Sequence, residues 1–150
     1  MNRRDVLLGG AAAVTWLSGL RAASAADEIV IGAIYPMSGA SAQIGVDARH
    51  ALETAVDIVN GVHDLDLPCA KTAGISSLGG AKIRLVIADH QADPQKGRAE
   101  AERLITQEKV VAILGSFHSS VSATVSATCE RYAIPFVAAD SSSQIGRAHV

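Results

Sequence analysis

The sequence predicts an α/β protein in which a parallel sheet is covered by helices on both faces. Two observations support this fold class. Apolar, β-branched runs alternate along the chain with segments of helical period. The runs are apolar almost throughout, as expected of strands buried on both sides. The four predicted strands are residues 29–34, 83–88, 110–114 and 134–138.

Three helices are predicted between these strands. The first covers about residues 46–60, and the second begins at Asp93, an N-cap residue followed by Pro94 at the first helical position. The third is expected to be capped by Ser119 or Ser120. The apolar stripes expected to face the sheet are Ala48, Ala51, Leu52, Ala55, Ile58 and Val59 in the first helix, Gly97, Ala101, Leu104 and Ile105 in the second, and Val121, Val125, Cys129 and Tyr132 in the third.

The chain begins with the features of an export signal. Arg3 and Arg4 precede an apolar run at residues 6–20, and small residues at 23–25 form a cleavage pattern. The run is too short for the roughly 20 residues that cross a bilayer. We therefore expect residues 1–25 to be a signal peptide that is cleaved near Ala25. An ordinary signal and a twin-arginine signal both fit this pattern.

The mature region, residues 26–144, is acidic. It contains nine Lys and Arg against fourteen Asp and Glu, a net charge of −5. Such a chain lacks the basic, aromatic surface that nucleic-acid binding requires, so no nucleic-acid partner is expected. Residues 145–150 break the pattern of elements and are interpreted as a non-native tail. What remains is long enough for one lobe but not for two.

Three loops are predicted to gather at one edge of the sheet. Ligands of open parallel sheets bind beyond the carboxyl ends of the strands. Residues 36–45, 115–120 and 139–143 follow such ends and are rich in Ser, Gly and Ala. Small residues let backbone N–H groups approach a ligand, and the helix after Ser120 directs its positive end to the same place. This chemistry suits holding a small anion such as a carboxylate without transforming it.

Motifs for catalysis are missing from the sequence. It has no G-x-S-x-G, H-E-x-x-H or C-x-x-C pattern. A Ser119–His118 nucleophile pair and a metal site at Asp89, His90 and Asp93 can be written, but helix-cap and strand-end roles explain these residues more simply. We expect no catalytic residue, no metal and no cofactor.

Several short motifs occur in an order and spacing that none of them would specify alone. They are Ile29-Val30-Ile31-Gly32, Pro36-Met37-Ser38-Gly39, Gly45, Asn60-Gly61, Asp93-Pro94, Gly115-Ser116-Phe117-His118-Ser119-Ser120 and Ile134-Pro135-Phe136. In this order the chain resembles the type I periplasmic binding proteins. More narrowly, it resembles the branched-chain amino acid (Leu/Ile/Val) binding family of ABC importers.

The resemblance implies a periplasmic, two-lobed receptor that closes on an amino acid or a related small carboxylate or amide. The receptor would deliver this ligand to an ABC permease in the inner membrane and would be a monomer when full length. Residues 26–144 would form a truncated N-terminal lobe. Two other functions stay open, namely the ligand-sensing domain of a signalling receptor and a secreted α/β hydrolase, against which the absent nucleophile motif argues.

The resemblance also assigns ligand-binding roles to particular positions. Ser119 is implied to receive the ligand carboxylate, and Asp140 and Ser142 to meet its ammonium and carboxylate groups. Ile44 stands where an aromatic residue is often found in the first loop. The complete set of candidate ligand-binding residues is Ser119, Ser120, Asp140, Ser141, Ser142, Ile44 and Phe117.

Overall fold

The computed structural model describes residues 28–141. Over these residues the chain forms four strands and three α-helices, with two short 3₁₀ turns between α1 and β2. The expected signal peptide and its cleavage site near Ala25, the tail at residues 145–150, and Ser142 lie outside the described residues. The elements are β1 (Ile29–Tyr35), α1 (Ala42–Asn60), β2 (Ile83–Asp89), α2 (Pro94–Thr106), β3 (Ala112–Gly115), α3 (Ser119–Arg131) and β4 (Phe136–Val137).

The four strands form one parallel sheet in the order β2-β1-β3-β4. β1 pairs with β2 along its whole length, from Ile29 opposite Ile83 to Tyr35 opposite Asp89. Because β2 and β3 flank β1 on opposite sides, right-handed connections place α1 on one face and α2 with α3 on the other. The predicted fold class, a parallel sheet with helices on both faces, is confirmed.

The main core lies between the sheet and the pair of helices α2 and α3. Leu104 of α2 and Ile34 and Ile113 of the sheet are fully buried there. α2 and α3 approach closely because Gly97 carries no side chain, and a Cβ at this position would lie 2.4 Å from Val121 Cγ1. The stripe predicted for α2 is buried in full. Its leucine and isoleucine contribute on the order of 1.5 to 3 kcal/mol each by leaving water.

The stripe predicted for α1 is only partly buried. Gly45 is the buried residue of this helix, while Leu52 and Ile58 are half-buried and Ala51 and Ala55 are exposed. Within residues 28–141, α1 is the only α-helix on its face of the sheet, so no second helix covers its flanks. No helix in this part of the chain combines the length and the apolar character needed to span a membrane.

Two predicted strands are shorter than the sequence indicated. β3 starts at Ala112 because the N–H group of Val110 donates to the Leu104 carbonyl oxygen and closes the end of α2 instead. β4 keeps only Phe136 and Val137, and the N–H group of Ile134 is bonded to the Cys129 carbonyl oxygen at the end of α3.

Tyr132 does not belong to the buried stripe of α3, and that prediction was wrong. It is the C-cap residue, and its N–H group is bonded to carbonyl oxygens of the last helical turn. The residue is 40% exposed, and its ring centroid lies 5.1 Å from the guanidinium carbon of Arg131. The helical period does not reach it because the helix has already ended.

The long connection at residues 61–80 lies mostly at the surface. It is held at the amino end of the sheet, where the Asn60 side-chain amide exchanges two hydrogen bonds of 2.8 Å with the backbone of Ile83. Cys69 is exposed in this segment, whereas Cys129 of α3 is buried, and both are free thiols.

Candidate functional site

The candidate site lies at the carboxyl edge of the sheet, which we define as residues 36–45 after β1, residues 115–120 after β3 and residues 138–141 after β4. β1 is followed by α1 and β3 by α3, and these helices lie on opposite faces. A crevice at this kind of switch point is where open parallel sheets bind ligands. The site is therefore built by backbone that leaves the sheet in two directions.

Two glycines let the loops after β1 and β3 fold tightly against the strands. A Cβ at Gly45 would lie 2.1 Å from the Pro36 carbonyl oxygen, and one at Gly115 would lie 2.2 Å from the Ile34 carbonyl oxygen. Gly115 also has a φ of +142°, a conformation that L side chains rarely adopt. Any larger residue at either position would displace a loop of the site.

α3 begins at this edge, but not as the sequence predicted. The N-cap residue is His118, and its carbonyl oxygen accepts from the N–H groups of Val121 and Ser122. Capping by the side chain of Ser119 or Ser120 was therefore a wrong prediction, because both residues already lie in the first helical turn. Both residues belong to the first turn of α3, where the helix dipole favours negative charge.

Four of the candidate residues are brought together by two hydrogen bonds. The Ser141 hydroxyl donates to the Ser119 hydroxyl oxygen at 3.3 Å. The backbone N–H group of Phe117 donates to Asp140 Oδ1 at 3.1 Å. These bonds join the loop after β3 to the segment after β4, over sequence separations of 22 and 23 residues.

The loop after β1 joins the same group through a residue that the binding prediction did not include. Ser41 Oγ lies 3.4 Å from His118 Nε2, which links the start of α1 to the start of α3. His118 also packs edge-on against the ring of Phe117, with centroids 5.0 Å apart. Within residues 28–141, His118 Nδ1 is a buried side-chain atom that makes no hydrogen bond.

The remaining candidate residues are placed less centrally. Ser120 is exposed in the first turn of α3, next to Ser119. Ile44 lies in the first turn of α1 and is 37% exposed. Ser142 falls outside the described residues. Ligand contact by any of these residues stays a prediction.

Asp89, the last residue of β2, is a polar residue of this edge whose contacts the sequence did not predict. Its carboxylate accepts from the Met37 N–H group at 2.9 Å, from the Ser38 hydroxyl at 2.6 Å and from the Gln91 N–H group at 2.8 Å. Burial alone would raise the pKa of Asp89, but these hydrogen bonds outweigh it, so the pKa is lowered. The carboxylate is therefore ionised and committed to the loop after β1.

His90 follows Asp89 and is fully buried. Its Nε2 lies 2.9 Å from the Ser116 carbonyl oxygen, and its Nδ1 lies 2.9 Å from the Ala92 nitrogen. A carbonyl oxygen can only accept and an amide can only donate, which assigns the neutral tautomer with the proton on Nε2. Burial is the main cause that lowers the pKa of His90. The contacts of Asp89 and His90 could be predicted from the sequence only if it were known which strands are neighbours.

The chemistry available at this edge is hydrogen bonding to a small polar ligand. It combines hydroxyl groups, a carboxylate and the N-terminal turn of α3. No group of three or more His, Cys, Asp or Glu residues among residues 28–141 is arranged to hold a metal ion. Ser119 and His118 are neighbours at the start of the helix, and the imidazole of His118 lies within hydrogen-bonding distance of Ser41.

Known proteins are similar to this chain in both sequence and fold. It is 35% identical over 115 residues to Leu/Ile/Val-binding protein homolog 7 of Brucella abortus. These 115 residues are 77% of this chain and 25% of that relative. The chain thus spans about a quarter of the length of this curated relative. The similarity is consistent with the predicted resemblance to Leu/Ile/Val-binding proteins.

Solved structures with 21% identity have the same fold. LivJ, the branched-chain amino acid transporter substrate-binding protein of Streptococcus pneumoniae in complex with isoleucine, matches 79% of the chain and 30% of its own length, with a TM-score of 0.64. A solute-binding protein of an ABC transporter from Rhodopseudomonas palustris, in complex with 3,4-dihydroxybenzoic acid, matches 79% of the chain and 29% of its own length, with a TM-score of 0.63. Residues 28–149 match the family described as periplasmic binding protein. The chain therefore belongs to the periplasmic binding protein family, in agreement with the order of its motifs.

Proposed function

We propose that residues 26–144 form part of the N-terminal lobe of a two-lobe solute-binding protein, which captures a small carboxylate outside the cytoplasm and delivers it to an ABC permease. The observation that carries this proposal is the grouping of Ser119, Ser141, Phe117 and Asp140 at the N-terminus of α3. Hydroxyl groups beside a helix N-terminus are suited to a carboxylate, because both the hydrogen bonds and the dipole favour the anion.

One lobe cannot supply the whole affinity. Two or three charge-assisted hydrogen bonds of about 1.5 to 3 kcal/mol each, with about 1 kcal/mol from the helix end, give on the order of 4 to 10 kcal/mol before the ligand is immobilised. Micromolar binding needs about 8 kcal/mol net. We therefore expect a second lobe to supply further contacts and the side-chain pocket. This chain matches only 25% of the curated relative and 30% of the solved LivJ structure, which leaves room for such a lobe.

The ligand we propose is an amino acid. The isoleucine and the 3,4-dihydroxybenzoic acid bound by the two solved structures share a carboxylate group. Asp140 favours an amino acid over a hydroxybenzoate, because it is an exposed residue and the hydrogen bond that it accepts from Phe117 reaches Oδ1. A carboxylate attracts a ligand ammonium group and repels a ligand that carries only negative charge.

Isothermal titration calorimetry of the full-length protein that carries this sequence tests the proposal. The titrations would compare branched-chain amino acids with hydroxybenzoates, and the wild-type protein with Ser119→Ala. We expect micromolar binding of an amino acid and a loss of about 10- to 100-fold in Ser119→Ala, because a hydrogen bond to a charged group contributes about 1.5 to 3 kcal/mol. Ser126→Ala, in the second half of the same helix, is the matched control and should bind as the wild type does.

Three further outcomes bear on the same proposal. Mass spectrometry should recover the ligand unchanged after incubation, whereas turnover abolished by Ser119→Ala would favour the hydrolase. Amino-terminal sequencing of the exported protein should begin near residue 26, and gel filtration should show a monomer. Failure to bind any small carboxylate or amide would refute the proposed function.

A further inference from the structure

We propose that Asp89 and His90, at the end of β2, are positioning residues that hold the loops after β1 and β3 at one fixed spacing without contacting the ligand. The inference rests on the proposed function, because it concerns how the ligand-binding edge is kept in shape. β2 is an edge strand of the described sheet, and the segment that follows it is not one of the three loops of the candidate site. Asp89, the last residue of β2, and His90, which follows it, nevertheless contact those loops.

Asp89 fixes the loop after β1. It lies beside Tyr35 in the sheet register, so its carboxylate reaches the residues that follow β1 directly. It accepts from the Met37 N–H group and from the Ser38 hydroxyl, and its third bond, from the Gln91 N–H group, holds the carboxylate itself in place. With three donors around it, this side chain is already committed within the protein.

His90 fixes the loop after β3 by reaching across the end of β1. Its backbone N–H group donates to the Tyr35 carbonyl oxygen. Its imidazole Nε2 donates to the carbonyl oxygen of Ser116, which follows β3. The Ala92 N–H group bonded to Nδ1 prevents the ring from flipping without losing both bonds. Since the side chain is fully buried, it can act on a ligand only through the loop it holds.

The two fixed loops meet in front of these residues. The His90 ring packs edge-on against His118, with centroids 5.3 Å apart, and His118 in turn contacts Ser41 at the end of the loop after β1. Ser116 and Ser119 belong to the same short loop and helix start. Movement of Ser116 would therefore displace Ser119. A loop that is ordered before binding spares the ligand the entropy of ordering it.

The test compares ligand affinity and thermal stability in the full-length protein. His90→Leu and Asp89→Ala remove the loop contacts, and His90→Gln keeps a donor at the position of Nε2. Asn60→Ala is the matched control, because it removes two side-chain hydrogen bonds to the backbone at the other end of β2. Affinity for the amino acid that binds the wild type tightest would be measured by calorimetry well below the melting temperature.

We expect His90→Leu and Asp89→Ala to bind about tenfold more weakly, which corresponds to about 1.4 kcal/mol. His90→Gln should recover most of this loss, and Asn60→Ala should melt at a lower temperature yet bind within about twofold of the wild type. Amide hydrogen exchange of Phe117 and Ser119 in the ligand-free protein should be faster in His90→Leu and unchanged in Asn60→Ala.

Unchanged affinity in both loop variants would overturn the inference, as would an equal loss in Asn60→Ala, which would reveal a general effect of stability. If His90→Leu fails to fold, His90→Asn replaces it, because a shorter amide can still bond Ala92 but cannot reach Ser116. Equal affinities of His90→Asn and His90→Gln would then overturn the inference. If the wild type itself binds no carboxylate or amide, the proposed function fails and the ligand role of these residues fails with it, a result distinct from the others.

Discussion

Replacing Gly115 with alanine is expected to destabilise the protein more than its backbone angle alone would cause. A residue with a side chain at φ +142° carries strain on the order of 1 to 3 kcal/mol. The added Cβ would also lie 2.2 Å from the Ile34 carbonyl oxygen, which belongs to the central strand and cannot yield easily. Overpacking of this kind costs about another 1 to 3 kcal/mol.

Gly79→Ala is the reference variant for this comparison, because it adds a side chain at a positive φ without any overlap. Gly79 also has a positive φ, of 69°, but a Cβ there has no heavy atom within 4 Å. Its substitution should cost about 1 kcal/mol, because only the backbone conformation is penalised. The difference of about 3 kcal/mol between the two variants then combines the overlap at Gly115 with the greater backbone strain at φ +142°.

Melting of the full-length protein, followed by circular dichroism, is the assay for this comparison. For a lobe of 150 to 250 residues, 1 kcal/mol shifts the melting temperature by about 2 to 4 °C, so Gly115→Ala should melt about 6 to 12 °C below Gly79→Ala. Equal melting temperatures would refute the reasoning, because they would mean that the strand end accommodates a side chain at this point.

Further substitutions and conditions give sharp expectations elsewhere in the fold. Gly97→Ala should lower the free energy of unfolding by about 1 to 3 kcal/mol, since its Cβ would lie 2.4 Å from Val121 Cγ1. Adding Val121→Ala removes this overlap, but if the helices do not repack, the stability regained should be smaller than the stability that Val121→Ala itself removes. Burial raises the pKa of Cys129 to about 11, so iodoacetamide at pH 8 should label Cys69 and leave Cys129 intact in the native protein; equal labelling would contradict its burial. Because the pKa of folded His90 is lowered, the unfolded state binds a proton first, and stability that is full above about pH 6.5 should fall as the pH drops below that value. His90→Gln should show a smaller fall in melting temperature between pH 7.5 and 5.5, and an identical fall would contradict this assignment.

Much of the architecture could be predicted from local patterns. The apolar runs at β1 and β2 predicted strands within one residue of the observed ends, and Asp93 caps α2 with its side chain as expected. These features depend on residues close in sequence. In a parallel sheet the carboxyl ends of all strands lie at the same edge, so the fold class alone indicated at which edge to look for a site.

The contacts that shape the site could not be predicted in the same way. The Asp89–Ser38 hydrogen bond joins residues 51 apart, and the His90–Ser116 bond joins residues 26 apart. Both depend on which strand lies next to β1 and in which register, and local sequence does not specify either. The cap of α3 was missed for a related reason, since the backbone of His118 starts the helix and no side-chain pattern marks it.

A crystal structure of the full-length protein with its amino acid bound would show whether hydroxyl groups at the start of α3 receive the ligand carboxylate. We expect a carboxylate oxygen within about 2.6 to 3.2 Å of Ser119 Oγ, with the ligand lying at the carboxyl edge of the sheet. A ligand bound at the amino end of the sheet, or one whose carboxylate lies beyond hydrogen-bonding distance of Ser119, would contradict it.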